Sequence, residues 1–151
     1  MPNYKGHVAG AITSFSLAIL LFSVYRFSFF VILQWFIMTI LGGLFPDIDT
    51  KSKGQKIFYR IIIVSLICLI LIKEWISASF LGIMATVPLN VKHRGLFHKL
   101  WFNVIFVIMI VATLFNIFPN YSFYIFSNGF FFLLGIISHL WLDFGWRRMF
   151  R

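Results

Sequence analysis

Long apolar runs separated by short polar connections make up most of the chain. A hydrocarbon core of about 30 Å requires roughly 20 apolar residues per helix, and somewhat shorter spans also occur. The pattern therefore predicts an all-α, polytopic membrane bundle of four to six transmembrane helices, in a single integral membrane domain over residues 1–151. The six predicted helices cover residues 8–25, 28–45, 57–72, 75–89, 100–118 and 121–142.

The fourth run is short and ends at Pro88. The helices around 57–89 therefore form either two full crossings or a re-entrant hairpin, and both paths return the chain to the same side. Composition agrees with a membrane protein, because 61% of residues are hydrophobic and 11% are charged, whereas soluble domains carry about 25% charged residues. The single cysteine, Cys68, lies in an apolar run and is expected to pack there, so disulfides play no part.

Lys and Arg are unequally divided between the two sides of the predicted bundle. Only Arg26 and Lys73 fall on one side, and the other eleven fall on the opposite side. Short connections rich in Lys and Arg stay in the cytoplasm, so both termini are predicted to be cytoplasmic. The cytoplasmic basic residues are Lys5, Lys51, Lys53, Lys56, Arg60, Lys92, Arg94, Lys99, Arg147, Arg148 and Arg151.

All four histidines and three of the four carboxylates form short clusters at the ends of apolar runs. Ionisable groups at membrane depth are costly and persist mainly where they pair, line a polar cavity or bind an ion. The predicted topology places every cluster on the cytoplasmic face, so we predict one shared site. The clusters are His7, Asp47 with Asp49, His93 with His98, and His139 with Asp143.

Spacing within the two carboxylate clusters allows joint binding of an ion. His139 and Asp143 are four residues apart, so they share one helical face. Asp47 and Asp49 follow Pro46, where the second helix should end, and in an extended segment residues two apart point the same way. Two adjacent carboxylates repel each other unless a cation lies between them.

The other histidines need a particular local conformation to reach the site. His93 and His98 are five apart, which is poor spacing for one helical face, but Gly95 between them predicts a turn or a helix start. His7 precedes a row of small residues at helical spacing, which lets a neighbouring helix approach closely and would bring the imidazole into the bundle. This row is Gly10, Ala11 and Ser14.

Imidazole mixed with carboxylate is typical of a site for a divalent metal. It suits Zn²⁺, with Mn²⁺ or Fe²⁺ as alternatives. Three ionised aspartates and four neutral histidines would be nearly balanced by two cations and a hydroxide, and we expect one or two ions. Metal sites activate water and stabilise the oxygens of a phosphoester, so the pattern favours a hydrolase.

Each cluster also has a simpler interpretation. PDID can be a capped helix stop, HRGLFH a basic loop that binds lipid headgroups, and His139 with Asp143 a hydrogen-bonded pair. A metal or proton transporter is a further alternative, but its sites lie near the midplane, often at broken helices. Clusters at helix ends favour an enzyme, or a non-catalytic membrane effector stabilised by metal.

Three motifs, in this order and with a histidine near the N-terminus, resemble those of a bacterial inner-membrane family. They are GGLFPDIDTKS, HRGLFH and GIISHLWLDF, and they resemble the YdjM-like, LexA-regulated, membrane-bound metal-dependent hydrolases across nearly the whole chain. That family is distantly similar to the zinc-dependent phospholipase C and P1-nuclease group. The resemblance implies metal ligands at His7, Asp47 or Asp49, His93, His98, His139 and Asp143.

The resemblance also implies details around these ligands. Ser52 matches the serine that follows the aspartates of the family. Where the family often has the pattern HRGxTHS, this chain has Phe97 and Lys99, which leaves the metal ligands in place but changes the surroundings of the second histidine. Integral lipid phosphatases that form a phosphohistidine also use His-x-x-x-Asp, but their Lys-x6-Arg-Pro and Pro-Ser-Gly-His elements do not occur in this sequence.

The position and charge of the predicted site favour a phosphoester of a membrane lipid as substrate. Arg94, beside a predicted ligand, is best placed for a bidentate phosphate contact, while Asp47, Asp49 and His98 would act in catalysis. No nucleic-acid partner is expected, because cytoplasmic retention of basic loops explains most of the net charge of +9. The oligomeric state is left open. The basic residues around the predicted site are Lys51, Lys53, Lys56, Arg94 and Lys99.

Overall fold

The computed structural model describes residues 3–22, 25–49, 53–71, 73 and 96–148, and no β-strand occurs within these ranges. The all-α class is therefore confirmed. The α-helices are α1 (Tyr4–Leu21), α2 (Phe29–Leu44), α3 (Lys53–Leu71), α4 (Leu100–Ile117) and α5 (Ser122–Arg148). Short 3₁₀ helices cover Phe45–Asp49, Leu96–His98 and Pro119–Tyr121.

The helix bounds follow the predicted apolar runs. Helices α2 and α4 lie within one residue of the predicted ends, and α1 and α3 each begin four residues earlier than predicted. Helix α5 continues past the predicted end at 142, with a kink at Gly145 (φ 68°). The predicted run 75–89 lies outside the described residues, and so does the choice between two crossings and a hairpin there.

Three spans in the described part of the chain are long and apolar enough to cross a membrane. They are Phe29–Ile48, Leu100–Ile117 and Pro119–Gly145, with mean hydropathies of 1.9, 2.3 and 1.7. The structure thus supports three of the six predicted crossings, and α1 is not among them because its first turn contains Lys5 and His7. Cys68, which was expected to pack, is instead exposed on α3.

Helices α2 and α5 approach each other through glycine. A Cβ atom added to Gly42 would meet the backbone carbonyl oxygen of Phe132, and one added to Gly135 would meet the carbonyl oxygen of Thr39. Any side chain at either glycine would therefore push the two backbones apart. Glycine at these positions therefore allows the close approach of α2 and α5.

The small-residue face predicted on α1 is confirmed. Ala11 is fully buried and its Cβ lies 2.8 Å from the position that a Cβ on Gly43 would occupy. Gly10 lies against Leu142 and Ser138 of α5. Helix α1 therefore packs on both α2 and α5, and this contact draws its first turn into the bundle.

The ring of Phe45 connects the remaining elements. It contacts Phe58 of α3, Phe97, Phe106 of α4 and Phe132 of α5, with ring centroids 5.2 to 5.9 Å apart. Aromatic pairs at such distances add about 0.5–1.5 kcal/mol each beyond their buried area. This cluster holds the end of α2 and the segment before α4 side by side.

Candidate metal centre

Five of the seven predicted ligands meet at one end of the bundle. They come from the start of α1, the end of α2, the segment before α4 and the end of α5, and they are His7, Asp47, His98, His139 and Asp143. The predictions for His93, Arg94 and Ser52, and for the side chain of Asp49, fall outside the part of the chain that the structure describes.

Buried apolar neighbours fix the two connecting segments. Ile48 and Phe97 are both fully buried in the core, next to Asp47 and His98 respectively. The segment Phe45–Asp49 is a 3₁₀ helix, so the prediction of an extended PDID segment was wrong, because the chain tightens through Pro46 as α2 ends. The strand-like alternation that would have pointed Asp47 and Asp49 in the same direction therefore does not apply.

The segment before α4 has the local structure that the sequence predicted. Leu96–His98 forms a short 3₁₀ helix immediately before α4, which agrees with a turn or helix start. Phe97, one of the departures from the HRGxTHS pattern, is buried in the core. This substitution therefore changes packing beneath the cluster and adds no side chain to it.

Two amides that sequence reasoning missed hold these segments in place. The side-chain amide of Asn103, which is fully buried, donates to the carbonyl oxygens of Phe97 (2.7 Å) and Lys99 (2.9 Å). The amide of Gln55 donates to the carbonyl oxygen of Ile48 at 2.8 Å. Asn103, near the start of the apolar run of α4, was the available signal, since a buried amide needs such partners.

His139 has a fixed orientation at the centre of the cluster. Its Nδ1 lies 2.8 Å from the carbonyl oxygen of Gly43, and because a carbonyl can only accept, Nδ1–H is the donor. The ring stacks on that of His7, with centroids 3.7 Å apart and an angle of 14°. In the neutral ring the lone pair therefore lies on Nε2. Metal-binding histidines commonly have this arrangement, in which a backbone carbonyl accepts a hydrogen bond from the ring nitrogen that does not bind the metal.

The Nε2 atom of His139 faces two carboxylates. It lies 3.5 Å from Asp143 Oδ2 and 3.7 Å from Asp47 Oδ1, longer than the roughly 2.7–2.9 Å of a charge-assisted hydrogen bond. No hydrogen-bond partner for His139 Nε2 or Asp143 Oδ1, both buried, occurs among the described residues. In its neutral form His139 Nε2 thus directs a lone pair towards two carboxylate oxygens, which is unfavourable unless a proton or a metal cation lies among them.

The same group includes His98. Its Nε2 lies 3.5 Å from Asp47 Oδ1, and ligand atoms of Asp47, His98, His139 and Asp143 all lie within 4.8 Å of one another. Two ligands on one tetrahedral Zn²⁺ are separated by about 3.3 Å, given bonds of about 2.0–2.1 Å. The residues present therefore fit a divalent cation in chemistry and charge, and the three printed pairs, at 3.5 to 3.7 Å, are close to this separation.

His7 lies beside this group of four. Its Nε2 is 3.5 Å from Asp143 Oδ1, while the other oxygen of Asp143 faces His139. Because its ring also stacks on that of His139, His7 contacts both Asp143 and His139 from one side. The sequence prediction that it enters the bundle is confirmed, since only 2% of the residue is exposed.

Access to the group is uneven. The side chains of His139, Asp143 and His98 are 0%, 5% and 6% exposed, whereas that of Asp47 is 26% exposed. Solvent can therefore approach from the side of Asp47.

Comparison with known proteins agrees with the membrane character of the fold. Neither a curated protein nor a solved structure matches the chain. The YdjM inner membrane protein family matches residues 1–150, which is nearly the whole sequence and includes every side chain of the cluster. The chain therefore belongs to the YdjM inner membrane protein family.

Proposed function

We propose that this protein is a membrane-embedded, metal-dependent hydrolase that acts on a phosphoester of a membrane lipid at the cytoplasmic leaflet. The observation that carries the proposal is the group of four ligand atoms within 4.8 Å. At its centre, the buried Nε2 of His139, which has no hydrogen-bond partner in the described part of the chain, lies 3.5 and 3.7 Å from carboxylate oxygens of Asp143 and Asp47. Such a set of acceptors favours a cation over a network of hydrogen bonds.

Asp47, His98, His139 and Asp143 would hold one ion. Two carboxylates carry a charge of −2, which one divalent cation neutralises, and two imidazoles with two carboxylates suit Zn²⁺ before Mn²⁺ or Fe²⁺. When bound, the ion would supply Lewis-acid activation of water and of the phosphoester. His7 would keep Asp143 and His139 aligned, and Asp47, the most exposed of the four, would face the substrate.

Basic side chains at the same end of the bundle support an anionic lipid as substrate. Lys5, Lys56 and Lys99 are exposed near the starts of α1, α3 and α4, the helix ends nearest to the cluster. Arg94, close to His98 in the sequence, would add a bidentate phosphate contact. Anionic headgroups of the cytoplasmic leaflet attract such residues, which would raise the local concentration of phosphoester.

A non-catalytic, metal-stabilised membrane module is the second candidate. It is favoured by the number of ligands, because four protein ligands can complete the closed tetrahedral shell of a structural zinc site, whereas catalytic sites keep one position open. The exposure of Asp47 favours the enzyme, since this side chain has room to move away from the ion and leave a coordination position open. Activity measurements separate the two candidates.

The catalytic proposal predicts metal-dependent turnover of a lipid. Zinc-loaded protein incubated with total bacterial membrane lipid should release phosphorylated headgroups, which mass spectrometry detects. Asp47→Asn should lower the rate by about 100-fold or more, because removing one charged group from a pre-organised site costs roughly that factor. His98→Ala should reduce turnover at least as much.

The control is Thr13→Ala, which removes an exposed hydroxyl on α1 that donates a hydrogen bond to the carbonyl oxygen of Ala9. It should keep the wild-type rate. Arg94→Lys should weaken substrate binding and leave zinc content unchanged, because an ammonium lacks the planar fork of a guanidinium. If folded, zinc-bound protein changes no lipid class, the structural module replaces the hydrolase as the better interpretation.

The proposed orientation predicts which connections are accessible from outside the cell. In a Cys68→Ala background, Lys53→Cys should resist an impermeant thiol reagent, and a reporter fused after Arg151 should be cytoplasmic. Arg26→Cys is the matched control, since Arg26 is exposed in the connection between α1 and α2, and it should react. The reverse labelling pattern would place the cluster on the outer face and exclude a cytoplasmic substrate.

A further inference from the structure

The two imidazoles of the ligand group are held in different ways. His139 Nδ1 donates to the carbonyl oxygen of Gly43, whereas the buried Nδ1 of His98 has no hydrogen-bond partner in the described part of the chain. The His98 side chain is only 6% exposed, and its Nε2 lies 3.5 Å from Asp47 Oδ1. Since no hydrogen bond among the described residues orients the ring from behind, the position of His98 depends on its backbone.

The backbone at His98 changes from one kind of helix to another. The 3₁₀ helix Leu96–His98 ends at the ligand itself, and α4 begins two residues later at Leu100. Lys99, between them, is extended (φ −102°, ψ 123°), and its side chain makes no capping hydrogen bond to α4. Backbone groups at such a break lack the regular partners of a helix and need others.

The side-chain amide of Asn103 bridges this break. It donates to the carbonyl oxygens of Phe97 and Lys99, the residues immediately before and after His98, at 2.7 and 2.9 Å. Both partners can only accept, so the amide nitrogen must face them, and the reversed orientation of the amide is excluded. One fully buried side chain therefore holds the chain on both sides of the ligand.

The acceptor of the same amide makes no comparable contact. Asn103 Oδ1 is buried and has no hydrogen-bond partner among the described residues, which is costly in an apolar interior. A leucine of similar size would avoid that cost and would suit the apolar run of α4. The two donors of Asn103 are therefore the feature that distinguishes it from an apolar residue here.

We propose that Asn103 is a positioning residue of the metal centre, whose amide fixes the backbone around His98 and so directs Nε2 towards Asp47. Burial of Phe97 anchors the chain only before His98, whereas the amide also holds Lys99 after it. The inference rests on the metal site of the proposed function, but it does not depend on hydrolysis.

Binding of Co²⁺ to the full-length protein in detergent tests the proposal. Co²⁺ accepts ligands similar to those of Zn²⁺, and its visible absorption allows the titration of chelator-treated protein to be followed directly. Asn103→Leu keeps a side chain of similar size but removes both donors. It should lower Co²⁺ affinity about 10- to 100-fold, as loss of a group that orients a metal ligand does.

A double-mutant cycle separates positioning of His98 from a general effect on packing. In a His98→Ala background, Asn103→Leu should change Co²⁺ affinity by less than about twofold, because a residue that acts through His98 has no effect once that ligand is absent. General loss of packing would lower the affinity in both backgrounds. Equal losses in the two backgrounds, or no loss in either, would overturn the proposal.

Asn116→Leu is the matched control, because it makes the same substitution at an exposed position of the same helix. It should bind Co²⁺ as the unaltered protein does. If Asn103→Leu does not fold, the cycle is repeated with Asn103→Asp, whose protonated carboxyl keeps the shape of the amide but has one donor in place of two. The same absence of an effect in the His98→Ala background is expected.

The results distinguish this proposal from the proposed function. Coupling between Asn103 and His98 in a protein that binds metal but hydrolyses no lipid would support the positioning role and contradict the hydrolase. Lipid hydrolysis without that coupling would support the hydrolase and overturn the positioning role. Failure of the unaltered protein to bind Co²⁺ or Zn²⁺ would overturn both.

Discussion

Replacing both His139 and Asp143 with alanine is expected to abolish zinc retention by the purified protein. These two side chains supply half of the four ligand atoms that lie within 4.8 Å, and the remaining two cannot complete a four-coordinate shell. Zinc affinity should fall by more than about a thousandfold, or about 4 kcal/mol of the roughly 10–16 kcal/mol that structural zinc sites provide. Metal content after purification without chelator, measured by mass spectrometry, gives the result directly.

The matched control replaces Ser138 and Leu142 with alanine. These residues have the same spacing on the same helix, one position earlier, and neither belongs to the ligand group. Zinc content should be unchanged in this control, which separates loss of ligands from general truncation of α5. Wild-type zinc content in the His139 and Asp143 double variant would show that these side chains share no metal site.

Gly135→Ala is expected to lower the free energy of unfolding of the bundle and also to weaken zinc binding. The added Cβ would collide with the carbonyl oxygen of Thr39 and with the amide nitrogen of Gly43, 2.6 Å away, and neither backbone atom can rotate aside. The free energy of unfolding, measured by SDS titration, should fall by about 3 kcal/mol, the upper end of the usual cost of overpacking.

Zinc affinity should fall as well, because displacement of Gly43 moves the carbonyl oxygen that orients His139. Loss of a hydrogen bond that orients a metal ligand typically lowers the metal affinity 10- to 100-fold. Gly129→Ala is the control on the same helix, since its Cβ would meet a side-chain methyl group of Val111, which can shift at a lower cost than a backbone atom. If both variants lost the same stability, the backbone contact at Gly135 would not be the determining feature.

The sequence predicted the helices well because apolar periodicity and length follow directly from burial in lipid. It also predicted that the small-residue face on α1 would admit a close neighbour, and the contact of Ala11 with Gly43 is of this kind. It did not predict the 3₁₀ turn at Phe45–Asp49, because the conformation of a short connection depends on how Phe45 and Ile48 pack against distant helices.

For the candidate site, sequence spacing identified the residue types but not their mutual arrangement. The pairing of His139 with Asp143 followed from four-residue spacing, and these side chains do face each other at 3.5 Å. In contrast, the stacking of His7 on His139 and the acceptor role of the Gly43 carbonyl arise only from the packing of α1, α2 and α5. A backbone carbonyl has no signature in a sequence.

The ligand group also has a consequence for biogenesis. His7 and Asp47 are synthesised before His139 and Asp143, which lie on the last helix of the described chain, so their meeting joins the first and last described helices. During synthesis the side chains of His7 and Asp47 would lack their partners on α5 until that helix is inserted. A cation that then bound all of these elements would mark completion of assembly, and a chain interrupted before α5 would lack half of its ligands and would remain open to proteolysis.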